Sequence, residues 1–288
     1  MIVSINGEVM DPKEAKIPVM DRGFLFGDSI YETLITFDKQ LFRLEKHMNR
    51  LKNSARLLNM DITVSEEDII HYMQKTVEAS SAKNLKVRLV VTRGTGVLSL
   101  DPTGDYQNNI VVIAIPRAEN PPEWYSKGVK VVIADIMRTS PKSVDPNAKS
   151  GNYLNNVMAY RQAREAGAFE AIMLNQKGHV TEATTSNVWI IKNGKVMTPP
   201  IEAGLLQGIT RSTLLENAKK KGYKLSEQSL AVEDIYDADE MFLTSTSRFI
   251  VPVVEVDGKK IGSGKPGKLT LELLELFHQE VREFTGSY

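Results

Sequence analysis

Pro146-Asn147-Ala148-Lys149-Ser150-Gly151-Asn152-Tyr153-Leu154-Asn155-Asn156 sets one lysine among small and amide residues, directly ahead of a helix-like run over 153–165. An amine that forms imines at neutral pH must be desolvated or lie near other cations, because its reference pKa is about 10.4. Taken by itself, a lysine in such a loop is a solvated surface residue. The reading therefore depends on what else the chain carries.

Two other segments matter. Gly208-Ile209-Thr210-Arg211 opens a helical run through Leu214, Leu215 and Ala218. A glycine followed by Thr at a helix start presents backbone N–H groups and a hydroxyl, which suits a phosphate. The helix dipole contributes only about 0.3–1 kcal/mol, so several N–H bonds must supply the rest. In isolation the same pattern is a plain helix cap. Val180-Thr181-Glu182-Ala183-Thr184-Thr185-Ser186-Asn187-Val188 places a carboxylate before a polar cluster that runs into an apolar strand. Alone, that is a turn with a solvated Glu.

Around these segments the chain divides into an expected N-terminal domain over 1–116, a linker over 117–124 and a larger C-terminal domain over 125–288. Residues 116–122 hold three prolines, which bar both a helix and a central strand. The first part is rich in hairpin signals: Asn6-Gly7 between 2–5 and 8–10, and Asp38-Lys39 between 31–37 and 40–43. Leu44, His47, Met48, Leu51, Ala55 and Leu58 recur on one helical face, and Ser65 with Glu66, Glu67 and Asp68 opens a second helix. Segments 87–92 and 110–115 are apolar enough for buried strands. Beyond the linker, 129–134, 171–174, 188–191 and 241–244 read as strands, and 153–165, 210–221 and 268–284 as helices. Asp257-Gly258 after 250–256 reads as a hairpin turn.

Composition narrows the class. Across 288 residues, 36 Lys+Arg balance 36 Asp+Glu, so no basic footprint for nucleic acid or a membrane surface is expected. The 42% hydrophobic and 25% charged fractions are those of a folded, soluble protein. No apolar run approaches the roughly 20 residues of a membrane span, and no signal peptide is visible, so a cytoplasmic address is expected. The absence of cysteine removes disulfides and thiolate chemistry. Four scattered histidines, none in His-Glu-x-x-His, argue against a zinc enzyme and any metal site. A Gly-x-Ser-x-Gly elbow is missing, and Pro266 stands where a phosphate loop would need Ser or Thr.

Read in order, Asp21-Arg22-Gly23-Phe24-Leu25-Phe26-Gly27-Asp28, His47-Met48-Asn49-Arg50-Leu51, Lys149-Ser150-Gly151-Asn152-Tyr153-Leu154-Asn155 and Leu206-Gln207-Gly208-Ile209-Thr210-Arg211 resemble the class IV, or fold-type IV, family of pyridoxal-phosphate enzymes. The resemblance spans nearly the whole chain. It implies a two-domain α+β fold like that of D-amino-acid aminotransferases, with a smaller N-terminal α/β domain and a larger C-terminal domain built on a barrel-like β core. It also implies pyridoxal 5'-phosphate as cofactor and a homodimer in which loops of one subunit close the pocket of the other. At the matching positions, Lys149 would carry the cofactor aldehyde and shuttle a proton at the substrate α-carbon. Glu182 would pair with the pyridine nitrogen, Tyr153 would bond the ring oxygen and Leu206 would pack on the ring face. Arg50, the N–H groups of Ile209 and Thr210, and the hydroxyls of Thr210 and Thr246 would hold the phosphate. Tyr31, Arg88, Thr95 and Gly96 would line the substrate pocket.

The family contains branched-chain aminotransferases, D-amino-acid transaminases and 4-amino-4-deoxychorismate lyases, all using the same lysine and carboxylate. The D-specific enzymes are expected to carry an Arg and a His after the segment Thr92-Arg93-Gly94, where this chain has Thr95-Gly96-Val97-Leu98-Ser99-Leu100. Arg88 stands where the branched-chain enzymes keep an arginine. In the other direction, Tyr31-Glu32-Thr33-Leu34-Ile35 lacks the Gly and Arg of their pattern, Glu182-Ala183-Thr184-Thr185-Ser186-Asn187-Val188-Trp189 is closer to the lyase and D-transaminase pattern, and Phe242-Leu243-Thr244-Ser245-Thr246-Ser247-Arg248 is lyase-like. The reading favours a transaminase moving an amino group between a branched-chain-like or other small apolar amino acid and a 2-oxo acid by a ping-pong cycle. The lyase is the alternative, followed by a D-amino-acid transaminase.

Overall fold

Asn6 and Gly7 both take left-handed backbone, φ 50° and 81°, and so turn strand β1 (Ile2–Ile5) back onto β2 (Glu8–Met10) with Val3 opposite Met10. That conformation at both central positions matches the twist of the flanking strands. The computed structural model describes residues 1–286. In chain order there follow α1 (Arg22–Phe26), β3 (Ser29–Phe37), β4 (Gln40–Leu41), α2 (Leu44–Leu57), α3 (Glu66–Glu78), β5 (Leu85–Thr92) and β6 (Ile110–Pro116). These strands form an antiparallel sheet ordered β2-β1-β6-β5-β3-β4. The expected apolar stripe of α2 is buried at His47, Met48, Leu51 and Ala55, and joins Ile30, Leu34, Ile69, Met73 and Leu89 in one core. The Ser65 hydroxyl accepts the Asp68 N–H at 3.1 Å and starts α3 where the sequence predicts.

The C-terminal part runs α4 (Glu123–Ser126), β7 (Val129–Ile133), α5 (Leu154–Glu165), β8 (Glu170–Leu174), β9 (Val180–Ala183), β10 (Asn187–Lys192), β11 (Lys195–Thr198), α6 (Ile209–Lys220), β12 (Leu225–Glu227), α7 (Val232–Tyr236), β13 (Glu240–Ser245), β14 (Phe249–Val256), β15 (Lys259–Lys260) and α8 (Lys268–Thr285). Its strands close on themselves in the circuit β10-β13-β14-β7-β8-β9 and back to β10. This is the barrel-like core that the resemblance implied. The β14–β7 and β7–β8 pairs are parallel, and the barrel shuts where Asn187 pairs with Glu182. Val131, Ile172, Val188, Ile190, Leu243, Val251 and Val253 fill the interior. β11 and β12 extend the sheet from β10, and β15 forms the hairpin expected at Asp257-Gly258.

The chain divides into two compact units. The first unit is Met1–Ala118 together with Ala148–Asn152, and the second is Glu119–Asn147 with the chain from Tyr153 onward. Lys149 therefore belongs with the N-terminal unit, although its position in the chain suggested the C-terminal one. The cause is backbone pairing. Tyr31 N–H donates to Lys149 O at 2.9 Å and Gly151 N–H to Ser29 O at 2.7 Å, which lays 149–151 along the edge of β3 that β4 does not cover.

Candidate active site

In the first unit, pairing on the β3 edge brings Lys149 beside Tyr31. The Lys149 Nζ donates to the Tyr31 hydroxyl at 3.2 Å and lies 4.3 Å from the ring centre. The Arg88 guanidinium stacks over the same ring at 3.9 Å. Tyr31 itself is buried, so the amine, the phenol and a second cation share one aromatic platform. Of the four expected substrate residues, Tyr31 and Arg88 meet at Lys149. Thr95 and Gly96 are anchored elsewhere in the unit: Thr95 bridges to Asp21, and Gly96 N–H donates to Met20 O at 3.3 Å.

Behind β3, Glu32 faces α2 and is fully enclosed. Arg50 donates to it twice, Nε to Oε1 and Nη2 to Oε2, both at 2.7 Å, and His47 Nδ1 meets Oε2 at 2.7 Å. Burial pushes the Glu32 carboxyl up, but Arg50 and then His47 outweigh it and hold it far below the ordinary carboxylate range. Glu32 is thus ionised and can only accept, so the His47 proton sits on Nδ1. Burial lowers the His47 pKa. Glu32 opposes this, while the Arg50 and Lys149 cations push it further down, so the ring is neutral near pH 7. His47 Nε2 is left as a buried lone pair that meets no donor among the described residues. Glu32 and the role of His47 escaped the sequence reading. The signal was present: His47 stands in an otherwise apolar stripe, with Arg50 three residues on, and Glu32 interrupts an apolar strand.

In the second unit, Glu182 lies opposite Met173 on β8 and Asn187 on β10, and is buried. Its Oε1 accepts Arg138 Nε at 2.8 Å and its Oε2 accepts the Leu206 N–H at 3.1 Å. Arg138 is steered in turn by Asn156 Oδ1 at 3.2 Å and Asn155 Oδ1 at 3.3 Å, both on α5. Arg138 sits in irregular chain with no periodic signal, and nothing in the sequence pointed to it.

Leu206 leads into the start of α6, as expected for the Gly208-Ile209-Thr210 segment. Gly208 caps the helix without any side-chain bond, although Ile209, Thr210 and Arg211 are all buried. A buried helix start whose first N–H groups lack a cap calls for an outside acceptor. Asn187 holds this entry close. Its Nδ2 donates to Leu206 O at 2.8 Å, and its Oδ1 lies 2.0 Å from where a Cβ on residue 208 would stand. Thr246 occupies the turn between β13 and β14, and Tyr153 ends the approach to α5, where its carbonyl accepts the Val157 N–H at 3.0 Å. Glu170 braces the neighbouring turn, accepting from Thr184 Oγ1, Thr185 N–H, Ser186 Oγ and Arg248.

Known proteins resemble this chain along most of its length. The profile of the amino-transferase class IV family matches residues 29–256. A protein of Methanocaldococcus jannaschii assigned as a branched-chain-amino-acid aminotransferase is 39% identical, covering 96% of this chain and 95% of that protein. The D-alanine aminotransferase of Bacillus licheniformis is 34% identical over 94% of this chain and 93% of its own length. Among solved structures, the branched-chain aminotransferase of Thermoproteus uzoniensis with norvaline superposes with a TM-score of 0.90 at 32% identity, covering 100% of this chain and 95% of that one. With the family profile matched over most of its length and a relative 39% identical along 96% of it, the chain belongs to the class IV aminotransferases.

Proposed function

We propose that this chain transfers the amino group of branched-chain or other small apolar amino acids to a 2-oxo acid, with pyridoxal 5'-phosphate as cofactor. The donor set fits that group: an amine at Lys149, an acceptor-only carboxylate at Glu182, and at α6 a buried helix start in need of an anion. Bound pyridoxal phosphate supplies an aldehyde to take the amino group and an electron-poor ring to delocalise the electron pair left at the substrate α-carbon. Lys149 Nζ would hold the aldehyde and would move the proton on and off that α-carbon. The Glu182 carboxylate, steered by Arg138, holds a proton on the ring nitrogen. The Tyr153 hydroxyl is assigned to the ring oxygen and Leu206 to the ring face. Arg50, the Ile209 and Thr210 N–H groups and the Thr210 and Thr246 hydroxyls bind the phosphate, and Tyr31, Arg88, Thr95 and Gly96 take the substrate.

The observation that carries this reading is Lys149 Nζ at 3.2 Å from the Tyr31 hydroxyl, with the Arg88 cation on the same ring. A panel of L- and D-amino acids, followed as half-reactions by cofactor absorbance, tests it, with L-leucine, L-isoleucine and L-valine expected as the best donors. The 34% identity to a D-alanine aminotransferase supports D-alanine as the second candidate, and aminodeoxychorismate belongs in the panel as the lyase substrate. No conversion of any amino acid would end the transaminase reading. We further assign a homodimer in the cytoplasm. The exposed apolar face of α5 (Leu154, Val157 and Met158) and the exposed apolar loop at Val97, Leu98 and Leu100 support self-association.

A further inference from the structure

The residues that hold Lys149 in place are unusual because the chain visits the first unit there for only five residues, Ala148–Asn152, between two stretches of the second. Its carbonyl is taken by Tyr31 N–H on the β3 edge. Its N–H is taken by a side chain on α2: Ser54 Oγ accepts it at 3.0 Å. Ser54 is fully buried, one helical turn after Arg50 and two after His47 on the same buried stripe.

The hydroxyl has one proton, and its destination is determined. Ser54 Oγ donates to the Arg50 carbonyl at 2.9 Å, the usual back-bond of a helical serine to the residue four earlier. A carbonyl can only accept, so the proton is committed there and an oxygen lone pair faces Lys149 N–H. Both backbone groups of Lys149 are thereby fixed, one by a strand and one by a single hydroxyl. The same hydroxyl ties the lysine backbone to the helical turn that carries Arg50.

We propose that Ser54 is a positioning residue for Lys149: its hydroxyl sets the backbone from which the amine reaches Tyr31, without touching substrate or cofactor. This rests on Lys149 being the reactive amine. Displacing a reacting group by about 1 Å can cost on the order of 10²-fold in rate, and nothing else on α2 offers an acceptor bond to that N–H.

The test compares Ser54→Ala with Ser54→Thr, which keeps the hydroxyl. In cofactor-free protein, the Lys149 amide should exchange its hydrogen at least about tenfold faster in Ser54→Ala than in wild type and near the wild-type rate in Ser54→Thr, because only the former loses the acceptor. In holoenzyme, Ser54→Ala should lower kcat by about 10- to 100-fold with KM within about threefold, and shift the pH titration of the cofactor's visible absorbance. Ser54→Thr should restore both. If Ser54→Ala does not fold by circular dichroism, Ser54→Cys, a weaker acceptor of similar size, takes its place with the same expected order. Wild-type exchange, kcat and titration in the hydroxyl-free variant would overturn the proposal. Borohydride reduction of wild-type holoenzyme with peptide mapping separates the two ideas: a label away from Lys149 defeats the assignment of the lysine, whatever Ser54 does.

Discussion

Arg50 grips Glu32 at two points, Nε on Oε1 and Nη2 on Oε2, each at 2.7 Å, with the carboxylate wholly enclosed. A guanidinium fork on a carboxylate fixes the plane of the arginine as well as its position. Arg50 can therefore meet a phosphate in only one attitude, and Glu32 sets it. Glu32→Ala strands a buried cation and should cost about 3–5 kcal/mol of stability, read from urea unfolding. Glu32→Gln keeps the shape but removes the charge. It should cost less, while weakening cofactor binding several-fold in a fluorescence titration. An unchanged cofactor affinity in Glu32→Gln would detach Arg50 from the phosphate.

His47 gives the fold an acid sensitivity of definite sign. Burial holds its folded pKa below the unfolded value of about 6.5, so the unfolded chain binds the extra proton. Its contribution to stability is complete above about pH 6.5 and is lost as pH falls below that, at up to about 1.4 kcal/mol per pH unit. Glu32 adds little over this window, because the stability it owes to its depressed pKa is lost only as pH falls below the unfolded value of about 4.5. Urea unfolding at pH 7.5, 6.0 and 5.0 should show wild type weakening faster than His47→Gln. Parallel curves would place the acid sensitivity elsewhere.

Gly208 should resist substitution because Asn187 approaches it so closely. A Cβ there would meet Asn187 Oδ1 at 2.0 Å, so the Asn187 side chain would have to turn away and give up its bond to Leu206 O. Gly208→Ala is expected to weaken pyridoxal phosphate binding by about tenfold or more, equivalent to about 1.4 kcal/mol. Binding of pyridoxal, which has no phosphate, should change far less. Equal losses for the two ligands would mean that this helix start does not hold the phosphate.

Much of this architecture is legible from local chemistry, because the signals act over a few residues. Asn6-Gly7 and Asp38-Lys39 adopt the paired left-handed turns that their residue types favour, and Asn193-Gly194 makes a further one between β10 and β11 that the sequence reading passed over. The α2 stripe and the Ser65 cap are equally local. The barrel is different. Its closure depends on Asn187 meeting Glu182 and on parallel pairs between β14, β7 and β8, long-range choices that no periodicity encodes. Lys149 shows the same limit. Its residue type and neighbours were readable, but its seat depends on an open stretch of β3 more than a hundred residues earlier, and on Ser54. Arg138 had no signal because irregular chain carries no pattern to violate.

The outer face of α5 offers the last prediction. Leu154, Val157 and Met158 follow one another at helical spacing and are 70%, 57% and 49% exposed. Three neighbouring apolar side chains on one stripe are costly to leave in water and cheap to bury against a copy of themselves. Like charges placed there, as in Leu154→Glu with Met158→Glu, would face and repel their own images across a two-fold axis. Light scattering after size exclusion should then give a dimer mass for wild type and a monomer mass for the double variant. Circular dichroism should stay unchanged, since these side chains support no core. If loops of one subunit complete the pocket of the other, kcat should fall with dissociation and recover as protein concentration rises. A fully active monomer would separate catalysis from assembly, and a double variant that remains dimeric would move the interface to another face.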